Sequence, residues 1–133
     1  MRITADTNVL VRAAVGDDPV QAAIAGDTLV RAELVAVPLS ALCEFVWVLR
    51  RGYGRDADEI AAAIRALADS TNVCLDQPAV EAGLAMLQAG GDFADGVIAF
   101  EGRRFGGTVF ASFDRSAVNL VAASGNQARL LSE

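Results

Sequence analysis

The feature that most constrains this chain is the alternation of short apolar runs with longer segments of helical period, together with the aspartates that close two of those runs. Ile3-Thr4-Ala5 ends at Asp6, and Val109-Phe110-Ala111-Ser112-Phe113 ends at Asp114. Parallel strands need a crossover to return to the same edge, so strand and helix signals in alternation predict an α/β fold built from βαβ units. Strands are predicted near 2–6, 34–37, 72–75 and 108–113, with a short further one near 128–131. Helices are predicted near 8–15, 19–32, 39–51, 57–69, 79–89, 95–105 and 116–123. Pro19, Pro38 and Pro78 fall at or just before helical patterns, where a missing N–H costs little. Gly90-Gly91 stops one helix and Asp92 starts the next. No internal repeat or linker interrupts the pattern, so a single domain over 1–133 is expected.

Although 53% of the residues are hydrophobic, no apolar run approaches the ~18 residues of a membrane span. The N-terminus meets Asp6 before any apolar h-region, so it does not read as a secretory signal. Cys43 and Cys74 have no zinc or redox spacing. Both are expected to be buried packing thiols in a reducing cytoplasm.

There is no histidine. The metal-ligating groups left to the chain are therefore carboxylates, which suit a hard divalent cation such as Mg²⁺ or Mn²⁺. Four acids occupy places that an α/β chain can bring together: Asp6, Glu44, Asp95 and Asp114. Asp6 and Asp114 stand at the carboxyl ends of predicted strands, where parallel sheets place ligand sites. Asp95 opens a helix, and the tilt of helical side chains toward the N-terminus lets Glu44 reach the same rim. Each also has a plain structural reading. Asp6 is placed to cap the helix of Val9-Leu10-Val11, Asp92 and Asp95 are spaced like a capping box, and Asp114-Arg115-Ser116 has the composition of a turn or cap. Glu44 sits in Leu42-Cys43-Glu44-Phe45-Val46-Trp47-Val48-Leu49, where a carboxylate is costly unless a cation satisfies it, it pairs with an arginine, or it faces out of the helix.

A net charge of −6 is unusual for a nucleic-acid binder. Two bound divalent cations would offset most of it, and all eleven basic residues are arginine, which grips phosphate in a bidentate fork. Arg50-Arg51 with Arg55, and Arg103-Arg104, are the densest groups; they also suit solvated helix ends. The acidic remainder equally fits a basic protein partner.

Asp6-Thr7-Asn8-Val9-Leu10, Ser40 with Glu44, Asp92-Phe93-Ala94-Asp95-Gly96-Val97-Ile98-Ala99, and Ser112-Phe113-Asp114 resemble, in order, the four acidic motifs of PIN-domain ribonucleases. Within that family the chain looks most like the VapC toxins of bacterial toxin–antitoxin pairs. The resemblance implies a three-layer αβα sandwich with a central, mostly parallel sheet of four to five strands. It implies that Asp6, Glu44, Asp95 and Asp114 hold one or two Mg²⁺ or Mn²⁺ ions. Asp92 would be an auxiliary acid or the cap that holds Asp95, and Thr7, Asn8, Ser40 and Ser112 would orient carboxylates or water at the rim. Gly96, where relatives often carry alanine, is a mild departure that would loosen the start of its helix. The resemblance further implies an RNA substrate, a homodimer and a cognate VapB-type antitoxin bound in a hetero-oligomer.

Without histidine the RNA 2′-hydroxyl lacks its usual acid–base partner, so water is the expected nucleophile and the expected products carry 5′-phosphate and 3′-hydroxyl ends. Response-regulator receivers and haloacid-dehalogenase-like phosphatases are also small acidic α/β proteins, but both use a lysine and this chain has none. The remaining alternative is a degenerate PIN module that binds RNA or a partner without cutting.

Overall fold

The computed structural model describes residues 1–132. The chain forms two compact units, Met1–Asp76 and the segment from Gln77 onward.

The first unit runs β1 (Arg2–Thr4), α1 (Thr7–Val15), α2 (Pro19–Arg31), β2 (Leu34–Ala36), α3 (Leu39–Tyr53), α4 (Ala57–Ala68) and β3 (Val73–Cys74). Its strands are parallel in the order β1-β2-β3, with Ile3 beside Val35 and Val35 beside Val73. The Ala5 N–H donates to the Ala36 carbonyl at 2.9 Å, which carries the ladder to the residue before Asp6. Helix boundaries follow local chemistry. Asp6 and Asp18 cap α1 and α2, with Pro19 in the first turn of α2, while Gly16 and Gly54 end α1 and α3 in the left-handed conformation that glycine adopts without strain. The core collects Leu10 and Val11 from α1, Val35 from the middle strand, Leu42, Phe45, Val46 and Leu49 from α3, and Ile60 and Ile64 from α4.

The second unit runs α5 (Gln77–Gln88), α6 (Phe93–Arg104), β4 (Val109–Ser112), α7 (Arg115–Ala123) and β5 (Gln127–Leu130). β4 and β5 pair in parallel around α7, and α5 packs closely on α6. That approach needs small residues: a Cβ at Gly83 would stand 2.5–2.8 Å from the Phe93 ring, and one at Gly96 would run into the Ala82 carbonyl. Gly96 is therefore held by packing, a reason that helix propensity does not supply.

The α/β class and all twelve predicted elements are present, with no end shifted by more than two residues. The strands form ladders of three and two rather than one sheet of four to five. Val73–Cys74 is only two residues long, and the β4–β5 ladder belongs to a unit with its own helices. Among the described residues no helix is long and apolar enough to cross a membrane. Cys43 is half-buried and Cys74 is exposed, so the expectation of two buried thiols fails: β3 ends at Cys74, where its side chain meets solvent.

Candidate active site

In the first unit the chain leaves β1, turns at Asp6 and enters α1 directly. Asp6 Oδ1 accepts the Thr7 N–H at 2.8 Å, so the cap reading is correct. A carboxylate has room for several further bonds, and capping leaves its second oxygen for another partner. The Thr7 hydroxyl donates to Glu44 Oε2 at 3.1 Å, tying α3 to the start of α1. Asp6, Thr7, Asn8 and Glu44 line one cleft of about 360 Å³. Ser40 lies one turn before Glu44 and is exposed, but is not part of the cleft lining.

Glu44 is exposed. The buried stripe of α3 is Ala41, Leu42, Phe45, Val46 and Leu49, and Glu44 falls outside it with Trp47. The expectation of a carboxylate stranded among apolar neighbours is thereby corrected; of its structural readings, the outward-facing one holds. What commends Glu44 is its place in the cleft and its bond to Thr7.

In the second unit the acids collect around the start of α6. Asp92 is the N-cap and accepts the Ala94 N–H at 3.2 Å. Asp95, in the first turn, does not return the bond, so the predicted capping box is absent here; that motif occurs at Asp56 and Glu59 on α4. Asp114 caps α7, accepting the Ala117 N–H at 3.2 Å, while its own N–H donates to Ser112 Oγ at 3.0 Å. Ser112 thus fixes the backbone that carries Asp114.

Burial pushes the Asp95 carboxyl above its usual value, and the negative charges of Asp92 and Asp114 push it further in the same direction. A helix N-terminus normally favours the charged form, so these two effects outweigh the dipole. Among the described residues no three acidic or cysteine side chains are gathered tightly enough to form a ready-made metal cage. The electrostatics around Asp95 still suit a divalent cation, because a half-buried carboxylate facing two like charges gains most from a nearby positive charge. Magnesium sites are often completed by water and substrate phosphate rather than by protein alone.

Beside Val11 and Val48, two further polar side chains line the first-unit cleft that the motifs do not include, Arg12 and Tyr53. Arg12 lies one helical turn beyond Asn8, and that i,i+4 spacing was the signal that could have found it. Tyr53 ends α3, and nothing in the local sequence marks it.

The sequence matches the PIN domain family over residues 3–122, a span that contains Asp6, Glu44, Asp95 and Asp114. No curated protein matches it. The chain belongs to the PIN domain family, whose members are in general nucleases.

Proposed function

We propose that this protein is a metal-dependent endoribonuclease toxin of the VapC type, hydrolysing RNA phosphodiesters to leave 5′-phosphate and 3′-hydroxyl ends. Asp6, Glu44, Asp95 and Asp114 are assigned as the acids that hold Mg²⁺ or Mn²⁺. The observation that carries the assignment is the environment of Asp95, a half-buried carboxyl in the field of Asp92 and Asp114. A bound divalent cation supplies a water of lowered pKa and stabilises charge on the leaving oxygen. The protein's own residues position and restrain. Thr7 holds one oxygen of Glu44, Ser112 holds the backbone of Asp114, and Asp92 anchors the start of α6 so that Asp95 keeps its place. Asn8 lies on the cleft wall, where its amide is placed to orient water or a phosphate oxygen.

We assign the protein partners on surface chemistry. The net charge of −6 favours a basic antitoxin arm and speeds its encounter, while α2 exposes Val20 and Ile24 one turn apart as a face for a second copy.

The test is incubation of the purified protein with total RNA and Mg²⁺, followed by end-labelling. Cleavage with 5′-phosphate ends is expected, and 2′,3′-cyclic phosphate products overturn the mechanism. Induction of the wild type should arrest growth and Asp6→Asn should not; if Asp6→Asn arrests growth equally well, the protein acts as a binding module. Calorimetric Mg²⁺ titration of Asp6→Asn and Asp114→Asn examines the ligand set. Both are expected to lose binding, whereas loss with one alone restricts the ligands to one unit.

A further inference from the structure

The first-unit cleft holds more than acids. Among its described lining residues Arg12 is the only cation and Tyr53 the only aromatic. They reach it from different elements, Arg12 from the last turn of α1 and Tyr53 from the last residue of α3. One residue outside the lining ties them together. Asp17, just past the left-handed Gly16 that ends α1, accepts the Arg12 guanidinium at Oδ1 (3.3 Å) and the Tyr53 hydroxyl at Oδ2 (3.0 Å). Both oxygens of a single carboxylate are thus spent on fixing a guanidinium and a phenol.

Holding two side chains in this way is an investment a solvated surface would not need. Arg12 and Asp17 are both partly exposed to solvent, and ion pairs of that kind add little stability. A guanidinium has five N–H donors in a rigid fork, so one bond to Asp17 leaves others for a phosphate oxygen. A phenol anchored by its hydroxyl presents its ring as a fixed plane, which is what stacking on a nucleobase requires. At about 1.5 Å per helical residue, Tyr53 stands roughly 13 Å along α3 from Glu44, and Arg12 roughly 9 Å along the chain from Asp6. Those separations suit a nucleotide flanking the cleaved bond rather than the bond itself.

We propose that Arg12 and Tyr53, braced by Asp17, form a subsite for one nucleotide of single-stranded RNA, with Arg12 on its phosphate and Tyr53 stacked on its base. The proposal rests on the ribonuclease reading above and deepens it. Arg12 and Tyr53 are substrate-binding residues, and Asp17 is a positioning residue that acts through them.

The experiment measures binding of a fluorescein-labelled single-stranded oligoribonucleotide by anisotropy, with cleavage kinetics in parallel. Asp6→Asn should stop cleavage and still bind the RNA. Arg12→Ala and Tyr53→Ala should each weaken binding about tenfold, with KM rising more than kcat falls. Tyr53→Phe should recover most of what Tyr53→Ala loses, because the ring remains. Asp17→Ala removes both acceptors, frees Arg12 and Tyr53 without removing them, and should weaken binding by a smaller factor. Circular dichroism and melting of each variant separate misfolding from loss of the subsite. If the folded Arg12→Ala and Tyr53→Ala proteins bind RNA as the wild type does, the subsite is refuted while the nuclease reading stands. A Tyr53→Phe loss equal to that of Tyr53→Ala overturns the stacking role and leaves only a structural latch. A wild type that neither binds nor cuts RNA removes the nuclease reading, and the subsite with it.

Discussion

At the scale of single residues, capping a helix leaves a carboxylate with an oxygen to spare. Asp6, Asp92 and Asp114 all cap helices, as their sequence context allows, yet each spends only one oxygen in doing so. Asp95 has no cap duty and carries the electrostatic burden. Its carboxyl is raised above the usual 3.8, so the folded protein holds that proton more tightly than the unfolded chain does. The resulting stability is present in full below 3.8 and is lost as pH rises through the raised value, which leaves ionised Asp95 a liability at neutral pH. Asp95→Asn should therefore raise the melting temperature of the metal-free protein at pH 7 by a few degrees, corresponding to about 1 kcal/mol or less once solvent screening is allowed for. Mg²⁺ should raise the melting temperature of the wild type and not of this variant; a variant that melts lower without metal contradicts the charge argument. Thr7→Val removes the hydroxyl that holds Glu44 and is expected to lower Mg²⁺ affinity or turnover about ten- to a hundredfold, checked by calorimetry and cleavage rate. At Asp17 the Tyr53 hydroxyl, more than Arg12, holds the carboxyl below its usual value. In Tyr53→Phe its titration, followed by NMR, should move upward.

At the scale of elements, boundaries were legible because local rules set them. Aspartates at 6, 18, 56, 92 and 114 open helices, and Gly16 and Gly54 close two. Which face of a helix turns inward was less legible. The stretch around Glu44 is apolar on every side, so polarity could not say that Trp47 stays exposed while Phe45 is buried. Gly96 shows the same limit. Helix propensity alone favours Gly96→Ala by about 1 kcal/mol, but overpacking a close helix contact costs about 1–3 kcal/mol. With the Ala82 carbonyl and Met86 in the way, packing wins. Gly96→Ala should melt lower than the wild type, whereas Gly102→Ala, in the same helix with open space around it, should melt slightly higher. Thermal unfolding of the pair decides the matter, and two changes of the same sign would refute the packing account.

At the scale of the whole molecule, the apolar residues of α2 and α3 serve different ends. The apolar stripe of α3 is core, whereas α2 buries only Ala25 and leaves Val20, Ile24 and Val30 in solvent. An exposed apolar face of this kind is maintained at a solubility cost unless something covers it. If the proposed dimer forms through this face, sedimentation should show a dimer for the wild type and a monomer for Ile24→Glu; a dimer unchanged by the substitution moves the interface elsewhere. The strand pairing also belongs to this scale. Hydrophobic runs announce strands, but the ladders of three and two depend on which edges meet after the helices have packed.

The sequence alone determined the order of strands and helices, the caps at Asp6, Asp92 and Asp114 and the acidic motifs, because those depend on chemistry a few residues wide. Only tertiary structure decided that Glu44 answers to Thr7, that Asp95 feels Asp92 and Asp114, and that one carboxylate at Asp17 joins Arg12 to Tyr53. Three of those pairs, Asp95–Asp114, Asp17–Tyr53 and Thr7–Glu44, join side chains 19, 36 and 37 positions apart. Distances of that kind exist only once burial of the core has fixed the helices against one another.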